Sequence, residues 1–316
     1  MPSIDELDLF LLGRQEIYAA NWLRISGTPP NKLFHYTNAA GLLGIMNHKV
    51  MWGTDIRYLN DHTELKHGIE LIEGQLDEAI KQQSQMEVVE LLTSLRNSFH
   101  LYGWKTPQGD VDFHSCFVSC FCKEGDLLSQ WRGYGSSGGG YAVGIRPCQH
   151  INVMDTSPTI KLKKVIYAES EQLQLVRDSI NCVVECANFA LPNISNWKGA
   201  CEKISTLFRD EISDYLWCFK NPAFSEEQEW RFMYLTNPFD PNSLKTLFRP
   251  NLSGIIPYVE LDIFKQQKNE PYFDICEIIC GPRLDPEGSV KAVKQLLNSS
   301  KYAGIAVNKS GVPLRW

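Results

Sequence analysis

The hydrophobic and polar positions along the chain predict short strands dispersed among longer helices. Apolar residues at helical spacing predict helices at 4–25, 39–47, 169–191 and 199–219, and two more in the polar region 62–100. Short helices are predicted at 127–134 and at 286–298, the second with Pro286 at its first position. Runs of β-branched and aromatic residues predict strands at 33–37, 50–54, 113–122, 141–145, 161–167, 255–261, 275–280 and 304–307, and one more that follows the carboxylates within 224–234. Residues 102–112 and 236–252 are predicted as loops.

Because strands and helices do not alternate regularly, this order predicts an α+β fold and not a doubly wound parallel sheet. We expect a mixed or antiparallel central sheet with flanking helices. One domain is predicted over residues 1–316, with an N-terminal helix within 1–30 and a helical insertion at 61–105.

Composition is that of an ordinary globular protein, with 316 residues, 43% hydrophobic and 22% charged. The net charge of −6 argues against a general nucleic-acid binder. No run of about twenty apolar residues predicts a membrane helix, and the acidic start Met1–Glu6 does not resemble a signal peptide. We therefore expect a cytoplasmic protein that does not bind membranes, with its 10 cysteines reduced.

The stretch Phe224–Tyr234 combines a cluster of carboxylates with the start of a strand. Glu226, Glu227 and Glu229 precede a run of aromatic and apolar residues. With period-two alternation, Glu227 and Glu229 share one face, where two like charges favour acid–base chemistry. Arg231 falls on the same face, so an Arg231–glutamate ion pair that neutralises the cluster is an equal alternative. A solvated acidic turn is the simplest interpretation of the stretch taken alone.

Two other patterns in the sequence are candidate binding sites. The glycine-rich segment 133–140 lacks the motifs of a P-loop or a dinucleotide fold, so we interpret it as a hairpin or lid whose amides could still contact a pyrophosphate. His114, Cys116, Cys120 and Cys122 alternate along one strand and do not converge as zinc ligands do. We expect no metal site there.

Several short motifs together resemble a bacterial family, domain-of-unknown-function 2971. They are Phe34-His35-Tyr36-Thr37, Trp52, Leu59-Asn60-Asp61 with Glu64, Val118-Ser119-Cys120-Phe121, Leu128-Ser129-Gln130-Trp131, Glu227-Gln228-Glu229-Trp230-Arg231 and Ile278-Ile279-Cys280-Gly281-Pro282. The resemblance covers roughly 33–310. The order of a histidine on the first strand, a serine on a middle strand and a later Glu-x-Glu is also similar to the ADP-ribosyltransferase superfamily. The middle motif departs from that superfamily, because Ser119 is followed by Cys120-Phe121 and not by Thr-Ser.

The second resemblance implies an ADP-ribosyltransferase-like fold and NAD as substrate. It implies that Glu229 holds the ribose 2′-hydroxyl and supports the positive charge that develops as nicotinamide leaves. Glu227 then orients or deprotonates the acceptor, His35 binds the adenosine ribose, and Ser119 braces the site. These are the four implied catalytic residues.

Further residues are implied to bind the NAD molecule. Tyr36, Trp131 and Tyr134 could stack on its rings, Arg132 or Arg231 could bind its pyrophosphate, and Thr37 lies beside His35.

The expected function is therefore ADP-ribose transfer or NAD hydrolysis, as in a bacterial toxin or phage-defence effector. A non-catalytic sensor of nucleotides or ADP-ribose and a metal-dependent nucleic-acid-processing enzyme are the alternatives. A partner protein or a homo-oligomer is compatible with any of these functions.

Overall fold

The computed structural model describes residues 21, 24–59, 63–100, 103–106, 109–112, 116–135, 139–147, 160–236, 243–251, 254–262, 266–267, 270–271, 273–300 and 302–313. These residues belong to two compact units. The helical unit comprises residues 1–27, 56–115 and 165–224, and the sheet unit comprises residues 28–55, 116–164 and 225–316.

The described helices and strands are numbered in chain order. They are β1 (Leu33–Thr37), α1 (Ala39–His48), β2 (Met51–Asp55), α2 (Thr63–Gln82), α3 (Met86–Ser98), β3 (Phe99–His100), β4 (Gly103–Thr106), β5 (Gly109–Asp112), β6 (Cys116–Cys122), α4 (Leu128–Tyr134), β7 (Tyr141–Pro147), β8 (Ile160–Lys164), α5 (Glu169–Asn193), α6 (Trp197–Leu216), β9 (Glu229–Leu235), β10 (Leu247–Asn251), β11 (Gly254–Leu261), β12 (Gln266–Gln267), β13 (Glu270–Pro271), β14 (Phe273–Cys280), α7 (Pro286–Asn298) and β15 (Ala306–Lys309). Short 3₁₀ helices span Ile56–Tyr58 and Pro222–Glu227.

The helical unit is built from α2, α3, α5 and α6, with β3, β4 and β5 forming a small antiparallel sheet. Helix α2 packs on α3 and α5, and α5 packs on α6. Their facing apolar stripes are fully buried, as at Leu76, Leu92, Val176 and Ile212. An apolar stripe of this kind is what holds amphipathic helices together in water.

The sheet unit contains a ten-stranded sheet within the described part of the chain. The order along it is β10-β11-β2-β6-β1-β7-β14-β15, and β9 pairs with both β6 and β8. The β14–β15 pair is parallel and the other pairs are antiparallel. The predicted mixed sheet with flanking helices is therefore confirmed.

Three helices cover the faces of this sheet. Helices α1 and α7 contribute Leu42 and Val293 to the larger apolar core, while α4 contributes Trp131 to a smaller core. Both α1 and α7 start at a side-chain cap, since Asn38 and Asp285 accept bonds from amides three residues later. Caps of this kind explain why both helix starts were predictable from the sequence.

Most predicted elements are present, but both predicted loops contain strands. Residues 102–112 hold the β4–β5 hairpin, in which Gly109 pairs with Thr106. Residues 236–252 hold β10, the edge strand of the large sheet. The predicted N-terminal helix falls mostly on residues outside the described ranges, as does His114 of the cysteine-rich strand. No helix in the described ranges is both long enough and apolar enough to span a bilayer.

Candidate functional site

The large sheet forks at β6, because β2 and β1 pair with different parts of the same edge of this strand. Along the other edge, β9 pairs with the whole of β6 from Cys116 to Cys122. On the shared edge, β2 pairs at Phe117 and Val118, and β1 pairs at Cys122. The segment between these pairings therefore faces a fork between β1 and β2.

Two side chains singled out from the sequence bind the backbone at this fork. His35 Nδ1 donates to the carbonyl oxygen of Cys120 at 2.9 Å, and Ser119 Oγ donates to the carbonyl oxygen of Trp52 at 2.9 Å. These bonds satisfy carbonyl groups where the strands separate. Ser119 is buried, so its bracing contact is with the chain itself.

His35 is a neutral hydrogen-bonding group in this position. Burial lowers its pKa, the bond to Cys120 opposes that effect, and the positive charge of Arg249 lowers the pKa further. Because the carbonyl of Cys120 can only accept, the ring carries its proton on Nδ1. Its Nε2 is then an acceptor, suited to a hydroxyl donor.

A shallow, open cleft with a cavity volume of about 70 Å³ lies beside His35. Its walls come from β1 (Phe34–Tyr36), β6 (Cys120–Cys122), α4 and the start of β9. Gln130 and Tyr134 line it from α4, Glu229 lines it from the start of β9, and Glu227 lines it from just before that strand. This volume is well below the roughly 300–1,000 Å³ typical of ligand pockets, so the cleft would enclose only part of a nucleotide.

Glu229 meets the cleft as one half of a buried ion pair. Arg231 Nε donates to Glu229 Oε1 at 2.8 Å, and Arg231 Nη2 donates to Glu229 Oε2 at 3.3 Å. Both side chains project from the same face of β9, and only 5% of Glu229 is exposed. The structure therefore shows the alternative ion pair, in which Arg231 neutralises Glu229. This pairing leaves Arg231 less suited to the predicted pyrophosphate contact.

Glu227 reaches the cleft from a different element, so the predicted strand alternation is wrong at this residue. It ends the 3₁₀ helix Pro222–Glu227, and β9 begins only at Glu229. Gln228 between them has a left-handed backbone with φ +42, which turns the chain from helix to strand. The two glutamates line one cleft because of this turn, and Glu227 is half-buried.

Tyr36 and Trp131 are engaged by the protein itself. The hydroxyl of Tyr36 donates to the carbonyl of Glu124 at 2.9 Å and accepts from the amide of Leu127 at 3.0 Å. Trp131 is 3% exposed, and its indole N–H donates to Asp126 at 2.7 Å. The two rings meet edge to face with centroids 4.7 Å apart. These contacts favour a structural role for Trp131, whereas Tyr36 also forms part of the cleft wall.

The other predicted binding residues differ in their access to the cleft. Tyr134 lines it and is 41% exposed, so its ring is available for stacking. Arg132 is exposed on α4 and Thr37 is half-buried at the end of β1. Neither of these two is among the described residues that line the cleft.

The cleft also contains residues that the sequence did not single out for chemistry. Gln130 is buried in its wall and lies within one of the quoted family motifs, which was the available signal. Cys122 lines the cleft as well. Burial, with the charges of Glu124, Glu227 and Glu229, raises the pKa of the Cys122 thiol to about 11. This thiol is protonated at neutral pH and is a poor nucleophile.

The described ranges contain no group of three or more His, Cys, Asp or Glu side chains placed to hold a metal ion. Cys116, Cys120 and Cys122 alternate along β6, as the sequence predicted for a core strand. The cysteines of the described ranges are free thiols.

A comparison with family models gives one finding. A model described as "Protein of unknown function (DUF2971)" matches residues 130–232. The match supports the first resemblance, although over a shorter stretch than 33–310. It includes Gln130, Tyr134, Glu227 and Glu229 of the cleft, whereas His35 lies outside it. No curated protein and no solved structure matches the chain.

Proposed function

We propose that this chain is an ADP-ribosyltransferase-like enzyme that cleaves NAD and passes ADP-ribose to an acceptor or to water. The observation that supports the proposal most is the composition of the cleft. A neutral histidine from the first strand, Glu227 from the end of the 3₁₀ helix and Glu229 from the start of β9 line the same space.

Glu229 is suited to support the bond cleavage. When the bond between the ribose C1 and the nicotinamide nitrogen breaks, its electron pair leaves with nicotinamide and positive charge develops on the ribose. A carboxylate placed beforehand stabilises that charge without reorganisation at the moment of reaction. Arg231 holds the carboxylate from one side.

Glu227 and His35 take separate parts in the proposed reaction. Glu227 is the more exposed of the two glutamates and would accept the proton of the attacking hydroxyl or water. The Nε2 acceptor of His35 would receive a ribose hydroxyl. Tyr134 would stack against a ring of the substrate.

The test is the release of nicotinamide and ADP-ribose from NAD, quantified by mass spectrometry with and without a cell extract as a source of acceptors. Glu229→Gln should lower nicotinamide release about 100-fold or more. Glu227→Gln should lower transfer to an acceptor by about 10²–10⁴ and nicotinamide release by less.

Glu226→Gln is the matched control, because Glu226 is exposed on the same 3₁₀ helix and does not line the cleft. This variant should match the wild type. An inactive wild type under all these conditions, or full activity in Glu229→Gln, would show the catalytic proposal to be wrong.

One observation favours a second candidate, a non-catalytic sensor of nucleotides or ADP-ribose. The charge of Glu229 is matched by Arg231 in a buried pair, and a matched carboxylate supports less positive charge than an unmatched one. Thermal unfolding with NAD, ADP-ribose and ADP separates the candidates. A rise in the unfolding temperature without nicotinamide release would identify the sensor.

A further inference from the structure

Arg249 is a cation that lacks an anionic partner among the described residues. It lies on the edge strand β10 and is half-buried. Its Nη2 donates to Thr54 Oγ1 at 2.8 Å, while its buried Nε has no acceptor in the described part of the chain. Removing a guanidinium from water costs free energy unless its donors are paired. Burial accordingly lowers the pKa of Arg249.

Two aromatic rings hold the flat face of this guanidinium. Its central carbon lies 5.2 Å from the centroid of Trp52 and 6.0 Å from that of Tyr258. The two rings are 4.8 Å apart, and Trp52 is 46% exposed. Stacking occupies the face of the guanidinium, whereas its N–H donors lie in the plane of the group. The bond to Thr54 uses one of the five donors and the buried Nε lies out of reach of solvent, which leaves up to three Nη donors for an acceptor.

The position of this cluster relates it to the cleft. Trp52 and Thr54 belong to β2, one arm of the fork, and His35 belongs to β1, the other arm. Ser119 ties the Trp52 carbonyl to β6 at the same fork. The charge of Arg249 reaches His35, so a ligand that contacts His35 lies within the field of the guanidinium.

We propose that Arg249, Thr54 and Trp52 form a phosphate-binding subsite for the pyrophosphate of a nucleotide whose sugar contacts His35. This inference rests on the proposed function for the identity of the nucleotide. A guanidinium fork matches two phosphate oxygens, which makes arginine the usual residue for this contact. The Trp52 ring beside it offers an exposed surface for a base or sugar. Arg132 and Arg231 were predicted for this contact, but Arg231 is paired with Glu229 and Arg132 is exposed on α4. Arg249, Thr54 and Trp52 are not among the residues that line the cleft, so the subsite would adjoin it at the β2 arm of the fork.

One carboxylate lies at the rim of the subsite. Glu260 is the cross-strand neighbour of Trp52 and is exposed on the same face of the sheet. It would repel an anion bound at Arg249, so Glu260→Gln should strengthen phosphate binding while Arg249→Gln weakens it. A purely structural arginine would give no such opposed pair of effects.

The experiment is calorimetric titration of the full chain with three probes: inorganic pyrophosphate, ADP-ribose and nicotinamide riboside, which lacks phosphate. Arg249→Gln should weaken binding of the two phosphate-containing probes by about 10- to 100-fold, the loss typical of a hydrogen bond to a charged group. Its affinity for nicotinamide riboside should equal that of the wild type. Arg249→Lys keeps the charge and loses the fork, so its affinity for the phosphate-containing probes should lie between those of the wild type and Arg249→Gln.

The matched control is Arg146→Gln, which removes one positive charge from an exposed ion pair with Asp274 in the same unit. It should leave all three affinities unchanged. Thermal unfolding of each variant establishes that it is folded, and Arg249→Lys and Glu260→Gln carry the test if Arg249→Gln is not. Unchanged pyrophosphate affinity in both Arg249 variants, or a wild type that does not bind pyrophosphate, would overturn the subsite.

The outcomes separate this inference from the proposed function. Pyrophosphate binding that depends on Arg249, in a protein that never releases nicotinamide, would uphold the subsite and reject the enzyme. NAD cleavage with the same KM in the wild type and Arg249→Lys would uphold the enzyme and reject the subsite.

Discussion

The buried pair of Glu229 and Arg231 makes a prediction that separates structural from chemical roles. Glu229→Gln removes one charge of the buried Glu229–Arg231 pair, and Lys163, also fully buried, is the direct cross-strand neighbour of Arg231. Removing one partner of a buried ion pair costs about 3–5 kcal/mol. For a unit of this size that loss lowers the unfolding temperature by roughly 6–20 °C.

The double variant Glu229→Leu/Arg231→Met should recover much of that stability. Replacing a whole buried pair by apolar side chains of similar size is often neutral or stabilising, because neither charge then has to leave water. If Glu229 acts in the reaction, this double variant is folded and stable and still fails to cleave NAD. If the pair were only structural, the double variant would recover NAD cleavage together with its stability.

The assay is thermal and urea unfolding followed by tryptophan fluorescence, beside the nicotinamide assay. Glu287→Gln is the control, because its ion pair with Lys309 has a similar length of 2.7 Å but lies exposed. It should change the unfolding temperature far less, since water and salt screen the pair. The reasoning would be refuted if Glu229→Gln unfolded at the wild-type temperature, or if the double variant were no more stable than Glu229→Gln.

Three further predictions concern single residues and are all measured by thermal unfolding. Gln228→Gly should keep or raise stability, by up to about 1 kcal/mol, whereas Gln228→Val should lower it, since φ +42 disfavours a β-branched side chain. Burial raises the pKa of Glu211, so the folded state holds its proton more tightly and stability falls as pH rises above about 4.5; Glu211→Gln should flatten this loss. Burial lowers the pKa of His35, so stability depends on pH in the opposite direction. It should fall as pH drops below about 6.5, and it should fall less in His35→Gln. An unchanged pH dependence in either variant, or a Gln228→Val as stable as Gln228→Gly, would contradict the corresponding argument.

Local signals in the sequence explain the elements that were predicted correctly. Asn38 caps α1 through the amide of Gly41, and Pro286 starts α7 behind the cap at Asp285. Each signal acts within one helical turn, so it can be recognised without knowledge of the fold. The positions of β1 and β9 were found for a similar reason, because their aromatic and apolar residues are typical of strands.

The missed strands lacked such signals. Gly103, Pro107 and Gly109 indicated a loop, although the glycines at 103 and 109 lie within β4 and β5. In β10, Pro250 and the polar residues before it hid a strand at the edge of the sheet. An edge strand tolerates proline because one side of its backbone needs no partner. Because this strand was predicted as a loop, Arg249 was not among the predicted binding residues.

The candidate site was predictable in its members more than in its geometry. His35 and the two glutamates were chosen from the sequence, and they line one cleft. The fork in the sheet depends on which strands share the edge of β6, and those pairings join residues distant in sequence. The turn at Gln228 also has no sequence signal, since glutamine rarely adopts that backbone.

The geometry assigns different work to the two glutamates. A carboxylate that binds a guanidinium through both oxygens, as Glu229 binds Arg231, would break that pair if it took a proton. It is therefore suited to remain a fixed negative charge beside the reacting sugar. Glu227 stands on a separate element and is half-buried, so it can exchange a proton without disturbing the core. In the proposed reaction, a site that separates the fixed charge from the proton acceptor would support bond cleavage and acceptor activation in sequence.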